Sequence, residues 1–518
     1  MKLAKCYSGA ICGVDARTVE IEVCASSGTV GFTIVGLPDQ AVKEAKDRVI
    51  TAISNSGFRR SEGCITVNLA PADVRKAGPI YDLPIAVSLL VAADKLRIPP
   101  ERGELDDYAF AGELALSGDV RRVMGIVAIA LEMRRIGKHA IFVPAENAAE
   151  AGIVDGIDVY PVRSLRETVD FLRGELEIRP VKRDLAALVA ASRDTGDDFA
   201  DVKGQSTAKR AMEVAVAGGH NMLMIGSPGS GKTMLARRIP SILPPLTAEE
   251  ALEVTRIHSI AGIHKTADGE GLVLHRPFRA PHHTVSGIGL LGGGMHPVPG
   301  EVSLAHRGVL FLDELPEFQR NVLEVLRQPL EDGHVSISRA AAARSFPSRF
   351  MLVAAMNPCP CGYADDPKRM CRCSQKQIRN YRGRISGPLL DRIDIQIEIA
   401  PVPPAILSHL PNGEPSASIR ERVIRARTMQ AERYRGIKGV KCNADLPGRL
   451  LADACRLDSA AMERLRDTIA SLDLSARAYD RILKVSRTIA DMDGREGVND
   501  RDICEAARYR ALDQSYWL

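Results

Sequence analysis

Chemistry is written most densely between Gly226 and Thr233, where the chain reads Gly226-Ser227-Pro228-Gly229-Ser230-Gly231-Lys232-Thr233. An apolar run, Met222-Leu223-Met224-Ile225, precedes this stretch, and the helical pattern Met234-Leu235-Ala236-Arg237-Arg238 follows it. Glycines in such a strand–loop–helix setting let backbone N–H groups converge on phosphate oxygens at a helix start. Lys232 then supplies positive charge to the outer phosphates, and the Thr233 hydroxyl offers an oxygen to Mg²⁺. A second acidic site follows the apolar run Val309-Leu310-Phe311-Leu312, which ends in Asp313-Glu314. Asp313 can complete the Mg²⁺ shell, and Glu314 can polarise an attacking water. A third apolar run, Phe350–Met356, ends in Asn357, a polar residue placed to help position that water. Together these residues read as a site for nucleotide hydrolysis, with ATP and Mg²⁺ as its ligands.

Immediately after Asn357 come Cys359-Pro360-Cys361 and Cys371-Arg372-Cys373. Four thiolates in this C-x-C-x₉-C-x-C spacing could close a tetrahedral Zn²⁺ site, stay free, or take part in redox chemistry. A zinc there would pin a loop rich in Pro, Gly and Asp and would not take part in hydrolysis. From Lys368 to Arg384 the chain carries seven basic residues and no acidic one, with Tyr381 interleaved. Between Ser418 and Lys441 it carries eight basic residues against Glu421 and Glu432. Such runs suit contact with a phosphate backbone, a solvated face or a subunit contact.

These residues need a scaffold, and a chain of 518 residues is long enough for two to four domains. With 45% apolar and 26% charged residues it can bury a core, which excludes a disordered or fibrous chain. The balance of 69 Lys+Arg against 65 Asp+Glu gives +4, so any basic surface must be local. The longest apolar run, Leu83–Ala93, is broken by Asp94 and is too short to span a bilayer. The first residues lack the apolar core of a secretion signal, so a cytoplasmic location is expected. Eleven cysteines, seven of them scattered, fit reduced thiols.

Residues 1–170 alternate β-rich stretches (Ala10–Cys24, Thr29–Val35, Cys64–Leu69) with helical patterns at Gln40–Ser54 and Pro84–Lys95. A charged segment over 171–199 reads as a linker containing a helix. Residues 200–400 have the buried strands and intervening helices of a parallel sheet covered on both faces. After Pro401, Pro403 and Pro404, helices are expected at Ser418–Arg435, Ser459–Leu472, Ala476–Ala490 and Asn499–Leu512, giving an all-α part over 401–518. The segment Val285–Val302 is too glycine-rich for a regular element, and Val335–Phe350 reads as two strands around Ala340–Ala343.

The order of phosphate loop, Asp-Glu strand, Asn-ending strand, Ser386-Gly387-Pro388-Leu389-Leu390-Asp391-Arg392-Ile393-Asp394 and Ser475-Ala476-Arg477 resembles the magnesium chelatase and MCM-like branch of AAA+ ATPases. More narrowly, Phe278-Arg279-Ala280-Pro281-His282-His283-Thr284 and Met356-Asn357-Pro358-Cys359-Pro360-Cys361-Gly362 resemble the ComM/YifB family. The resemblance covers nearly the whole chain. It implies a P-loop αβα core with a C-terminal helical lid, an arginine finger at Arg392 and a second sensor at Arg477. It also implies a ring, most simply a hexamer, because a finger serves the neighbour's ATP. The family is tied to DNA uptake in natural transformation and to branch migration, so single-stranded and branched DNA and recombination proteins are the implied partners. Within this branch, Val285–Val302 and Val335–Phe350 occupy the places of pore loops.

Residues 112–126, with Gly112-Glu113-Leu114 and Val123-Met124-Gly125-Ile126, resemble the proteolytic domain of Lon. That chemistry needs a Ser-Lys dyad, and Ile80 and Val127 stand at the two positions, so the domain is expected to be noncatalytic, as in the RadA branch-migration protein. The expectation is therefore an ATP-driven DNA motor in a mixed α/β, multidomain chain. A metal-chelatase type motor that remodels a protein partner is the alternative.

Overall fold

The computed structural model describes every residue except 1, 27–28, 60–62, 193–195, 264–270, 295–296, 340–341, 365, 367–368, 403–410, 472–475, 511, 513–516 and 518. Ser475, Lys368, Ala340, Pro403 and Pro404, all singled out from the sequence, therefore lie outside the described residues. Among the described residues no helix is long and apolar enough to cross a membrane.

The chain opens on a long antiparallel pair, β1 (Lys2–Cys12) and β2 (Asp15–Ser26), in register from Lys2 opposite Ala25 to Cys12 opposite Asp15. The single stretch Ala10–Cys24 expected from composition is in fact interrupted by a tight turn at Gly13-Val14, where the chain reverses. In β2 every second residue, Val19, Ile21 and Val23, is fully buried, the period of a strand with one face on a core. Strands β3 (Gly31–Val35), β4 (Cys64–Ala70), β5 (Tyr108–Phe110), β6 (Ala140–Pro144) and β7 (Asp158–Val162) complete a mixed sheet of order β3-β4-β2-β1-β5-β6-β7. Helices α1 (Gln40–Asn55), α2 (Asp82–Ala92) and α3 (Ile126–Arg135) accompany it, and α2 is apolar on all sides because it is buried on all sides. Ile80 and Val127 belong to that core. Lys76 donates to the Pro71 carbonyl, and Ser117 Oγ bonds Asp119 at 2.6 Å, so neither engages the other.

The second sheet is all parallel. Its strands are β8 (Met222–Ile225), β9 (Phe278–Arg279), β10 (Val309–Leu312), β13 (Met351–Met356) and β14 (Ile395–Glu398), in the order β9-β10-β13-β8-β14. Between β10 and β13 an antiparallel hairpin, β11 (His334–Arg339) and β12 (Ala342–Pro347), stands apart from this sheet. Strands β8, β10 and β13 are buried at every residue, which is why they read as unbroken apolar runs in the sequence. Each fully buried Leu or Phe there contributes about 1.5–3 kcal/mol to folding. Because the strands run the same way, their C-terminal ends share one edge, and β13 parts β8 from β10.

Helices α4 (Ser206–Gly218) and α5 (Lys232–Ile242) pack on this sheet, whereas α6 (Ala248–Ile260) buries Ala251, Ile257 and Ile260 in the first core. The described part of the glycine-rich segment corrects the expectation of irregular chain. Gly287–Leu291 is a short helix, and Gly292–Gly293 pairs with Val298–Pro299. The Ser286 side chain accepts from Gly289 N at 3.1 Å, and this cap starts a helix that composition alone disfavours. After α7 (Gln375–Arg382) the C-terminal part is helical, with α8 (Ser416–Arg433), α9 (Ser459–Ser471), α10 (Ala476–Met492) and α11 (Asp500–Arg508) close to the spans expected.

The first sheet is tied to the second by packing that no local pattern announces. Gly125 N donates to Ser259 O in α6 at 3.1 Å, and Arg256 pairs with Asp15 at 2.8 Å. Phe346 of β12 is fully buried in the first core, and Leu185 and Val189, from the segment read as a linker, join the same core.

Candidate nucleotide site

The phosphate loop Gly226–Thr233, the acids Asp313 and Glu314 and the polar Asn357 converge on the shared edge of the parallel sheet. The phosphate loop leaves the end of β8 and enters α5 at Lys232, so its backbone N–H groups gather at a helix start. Gly226 is required by close approach: a Cβ there would lie 2.4 Å from the Ile399 carbonyl oxygen. Lys232 Nζ donates to the Gly226 and Ser227 carbonyls at 2.7 and 3.0 Å and to Asn357 Oδ1 at 3.2 Å. Burial lowers the pKa of this ammonium, and the charges of Asp313 and Glu314 oppose the shift. The buried hydroxyl oxygens of Ser227 and Ser230 have no hydrogen-bond partner among the described residues. A loop that gathers an ammonium, helix-start amides and two unanswered hydroxyls has the donor set of a phosphate seat.

Thr233 Oγ1 donates to Asp313 Oδ2 at 2.6 Å, which brings a hydroxyl from the first turn of α5 and a carboxylate from the end of β10 to one point. Two hard oxygens beside a phosphate seat are the donors Mg²⁺ prefers, so the residues fit that ion. Asp313 Oδ1 also accepts from Glu314 N at 2.9 Å. Glu314 itself sits at φ +53°, an uncommon backbone setting for a non-glycine residue and one that concentrates at functional sites. Its carboxylate faces His283, whose Nδ1 lies 3.3 Å from Oε2. His283 lies against His282 with centroids 4.1 Å apart and the rings tilted by 33°, and it meets the Phe318 ring edge-on.

Two participants were not assigned roles from the sequence. His283 belongs to the His282-His283 pair that follows β9, and the signal was its place after a strand parallel to the one ending in Glu314. Gln205, at φ +56°, donates from Nε2 to the Ala400 carbonyl at 2.8 Å and the Ser230 carbonyl at 3.3 Å. It ties the chain before α4 to the phosphate loop, and a lone glutamine carries no pattern that would reveal this.

Arg392, the expected arginine finger, and Arg477, the expected second sensor, stand together in a cluster of their own. Arg392 pairs with Glu331 and donates to the Pro388 carbonyl, while its Nε is buried without a partner among the described residues. Asp391 and Asp394, the acids nearest to it in sequence, are taken by other arginines: Arg477 bonds Asp391 at 3.0 Å and Arg481 bonds Asp394 at 3.1 Å. Burial and the like charges of Arg327, Arg477 and Arg481 lower the Arg392 pKa. Arg477 thus stands beside Arg392 and bonds Asp391, and its described partners include none of the phosphate-loop residues.

The cysteines expected to bind a metal also come together: the sulfur atoms of Cys359, Cys361, Cys371 and Cys373 lie within 4.8 Å of one another. The basic runs divide. Arg369, Arg382 and Arg384 serve internal contacts with Tyr363, Pro358 and Glu317, whereas Arg372, Lys376 and Arg379 are exposed. In the second run Arg422 and Lys441 pair with Glu213 and Glu250 and Arg427 donates to the Val216 carbonyl, which fastens the helical part to the core, whereas Arg433 pairs with Asp491 inside the helical part.

This geometry, a phosphate loop and paired acids at the edge of a parallel sheet, defines a nucleotide-site protein, and comparison with known proteins gives the family. The family described as magnesium chelatase, subunit ChlI, matches residues 198–407, its C-terminal portion matches 413–510, and the pattern described as subunit ChlI of Mg-chelatase matches 21–147. The uncharacterized protein YifB of Salmonella typhimurium is 45% identical over 516 residues, 99% of this chain and 98% of that protein. The competence protein ComM of Haemophilus influenzae is 44% identical over 519 residues, again 99% of this chain and 98% of that protein. The YifB protein of Escherichia coli is 44% identical over 516 residues, with the same 99% and 98% coverage. The chain belongs to the ComM/YifB family of magnesium chelatase-like AAA+ proteins.

Proposed function

We propose that this chain is an ATP-dependent DNA motor that works as a ring, most simply a hexamer, on single-stranded and branched DNA in the cytoplasm during recombination and transformation. The observation that carries the reading is full-length similarity to a competence protein combined with the meeting of Lys232, Thr233, Asp313 and Asn357 at one sheet edge. Ser227, Ser230, Lys232 and the loop amides would bind the phosphates of ATP. Thr233 and Asp313 would hold Mg²⁺, which when bound neutralises phosphate charge. Glu314 would accept the proton of the attacking water, and Asn357 would orient that water against the terminal phosphate.

Arg392 would complete the site of the adjacent subunit as an arginine finger, and Arg477 would serve as the second sensor. A cluster of partly buried guanidiniums with one unsatisfied Nε favours an incoming anion, and the γ-phosphate of a neighbour supplies it. The hairpin β11–β12 and the segment Val285–Val302 are the proposed DNA-facing elements of the pore. The part before residue 170, without a Ser-Lys dyad, would serve assembly or DNA guidance. Recombination proteins are the expected partners.

The second reading, a chelatase-type motor acting on a protein partner, draws on the descriptions of the matching families, all of which name the magnesium chelatase subunit ChlI. The experiment that separates the two is movement of a labelled four-way DNA junction by the purified chain with ATP and Mg²⁺. The DNA reading expects ATP-dependent conversion of the junction. Copurification with a tetrapyrrole-binding protein and an inert junction would favour the second reading.

A further inference from the structure

Cys359, Cys361, Cys371 and Cys373 sit on the loop that leaves β13, and their geometry is more specific than proximity. The Sγ separations are 3.3 Å for Cys359–Cys361, 3.7 Å for Cys359–Cys371 and 3.6 Å for Cys361–Cys371, with no disulfide among them. Four thiolates around one ion at a metal–sulfur distance of about 2.3 Å define a tetrahedron whose edges are about 3.8 Å. The three edges therefore match a mononuclear site. In an iron–sulfur cluster the thiolates are shared among two or more irons, and those on different irons stand further apart than 4.8 Å allows. A set of sulfurs without oxygen ligands selects a soft or borderline ion, and four protein ligands leave no open position, the mark of a structural site. Backbone N–H groups support the sulfurs: Tyr363 donates to Cys359 and Cys361, and Arg372 donates to Cys361. Such outer-shell donors orient thiolate ligands and offset their charge.

The position of the loop gives the site a consequence. It starts two residues after Asn357, which accepts from Lys232, and it folds over the phosphate loop. Gly362, at φ +85°, is pressed so closely on the Pro228 ring that a Cβ would lie 2.5 Å from Pro228 Cδ and 2.6 Å from Cγ. Past the last cysteine, Ser374 caps α7, and Arg382 in that helix reaches back to the Pro358 carbonyl at 3.1 Å. An ion joining Cys359 and Cys361 to Cys371 and Cys373 would close this loop at both ends.

We propose that the four cysteines bind one Zn²⁺ per chain and that the ion seats Gly362 against Pro228, so that nucleotide affinity depends on the metal. The coupling rests on the reading of Gly226–Thr233 as a nucleotide site, whereas the metal site stands on its own geometry. Without the ion the loop explores many conformations, and binding ATP must order it together with Pro228 and Gly229, which weakens affinity by roughly tenfold.

The test is metal analysis of the full-length chain, followed by titration with a fluorescent ATP analogue of zinc-loaded protein, chelator-stripped protein and two variants, Cys371→Ser and Gly362→Ala. The expected result is one zinc per chain, intense thiolate-to-cobalt bands on exchange with Co²⁺, and affinity lowered about tenfold in stripped protein and in Cys371→Ser. Gly362→Ala keeps all four thiols and separates lost contact from lost ligand: full zinc with weakened nucleotide binding is expected. Absence of zinc and cobalt binding by the reduced protein would overturn the metal site. Equal affinity with and without zinc would overturn the coupling. Failure of zinc-loaded protein to bind any nucleotide would overturn the coupling together with the ATPase reading, and the zinc count would then judge the metal site alone.

Discussion

Glu314 turns its carboxylate to His283, with Nδ1 3.3 Å from Oε2, although more than half of the Glu314 side chain is exposed. The residue proposed to activate water is thus held by a partner on the neighbouring strand's exit loop. An exposed contact of this kind is worth about 0.2–1 kcal/mol. His283→Ala should therefore raise DNA-independent ATP hydrolysis by up to about fivefold and blunt any further stimulation. Steady-state rates with and without DNA check this; identical rates in variant and parent would remove His283 from the account.

Glu314→Gln should lower kcat by about 10²–10⁴-fold while leaving nucleotide affinity nearly intact, because the carboxylate acts on water and not on the phosphate seat. Lys232→Ala should instead abolish nucleotide binding, since its ammonium is buried between the loop carbonyls and Asn357. Equilibrium titration with an ATP analogue separates the two variants from each other.

Arg392→Ala should reduce hydrolysis by about 10³-fold or more if the guanidinium reaches a neighbour's nucleotide. Mixing Arg392→Ala subunits with Lys232→Ala subunits should then restore part of the activity, because some interfaces pair an intact phosphate loop with an intact arginine. A mixture as inactive as its parts would place Arg392 inside its own subunit's structure, where it already bonds Glu331.

Acid stability offers a test away from the site. A hydrogen bond from His306, together with Arg307, holds Glu253 at about 2, against an ordinary 4.5. A carboxylate depressed by folding contributes stability that is present above about 4.5 and is lost as pH falls toward 2. Glu253→Gln should flatten the decline in melting temperature across that window and change little at pH 7 beyond the loss of the ion pair. An unchanged acid slope would contradict the assignment.

The phosphate loop, the paired acids and the strand ending in Asn357 were legible because a strand buried on both faces must be apolar throughout, and the first polar residue after it marks the sheet edge. What escaped was contact between elements distant in sequence. Nothing local in Gln205 or His283 shows that the fold will place one on Ser230 and the other on Glu314. The burial of Phe346 in the first core and the bond from Gly125 to Ser259 depend on how two sheets meet, which periodicity does not encode. The glycine-rich segment misled for a different reason: composition weighs propensity, whereas a single cap at Ser286 decides whether one helical turn forms.

The central claim is coupling of ATP hydrolysis to DNA, and the rate of hydrolysis with and without single-stranded, duplex and four-way-junction DNA tests it most directly, with Glu314→Gln alongside. The account predicts hydrolysis stimulated by DNA and absent from the variant. Robust hydrolysis indifferent to every DNA, from a chain that binds none at low salt, would contradict it.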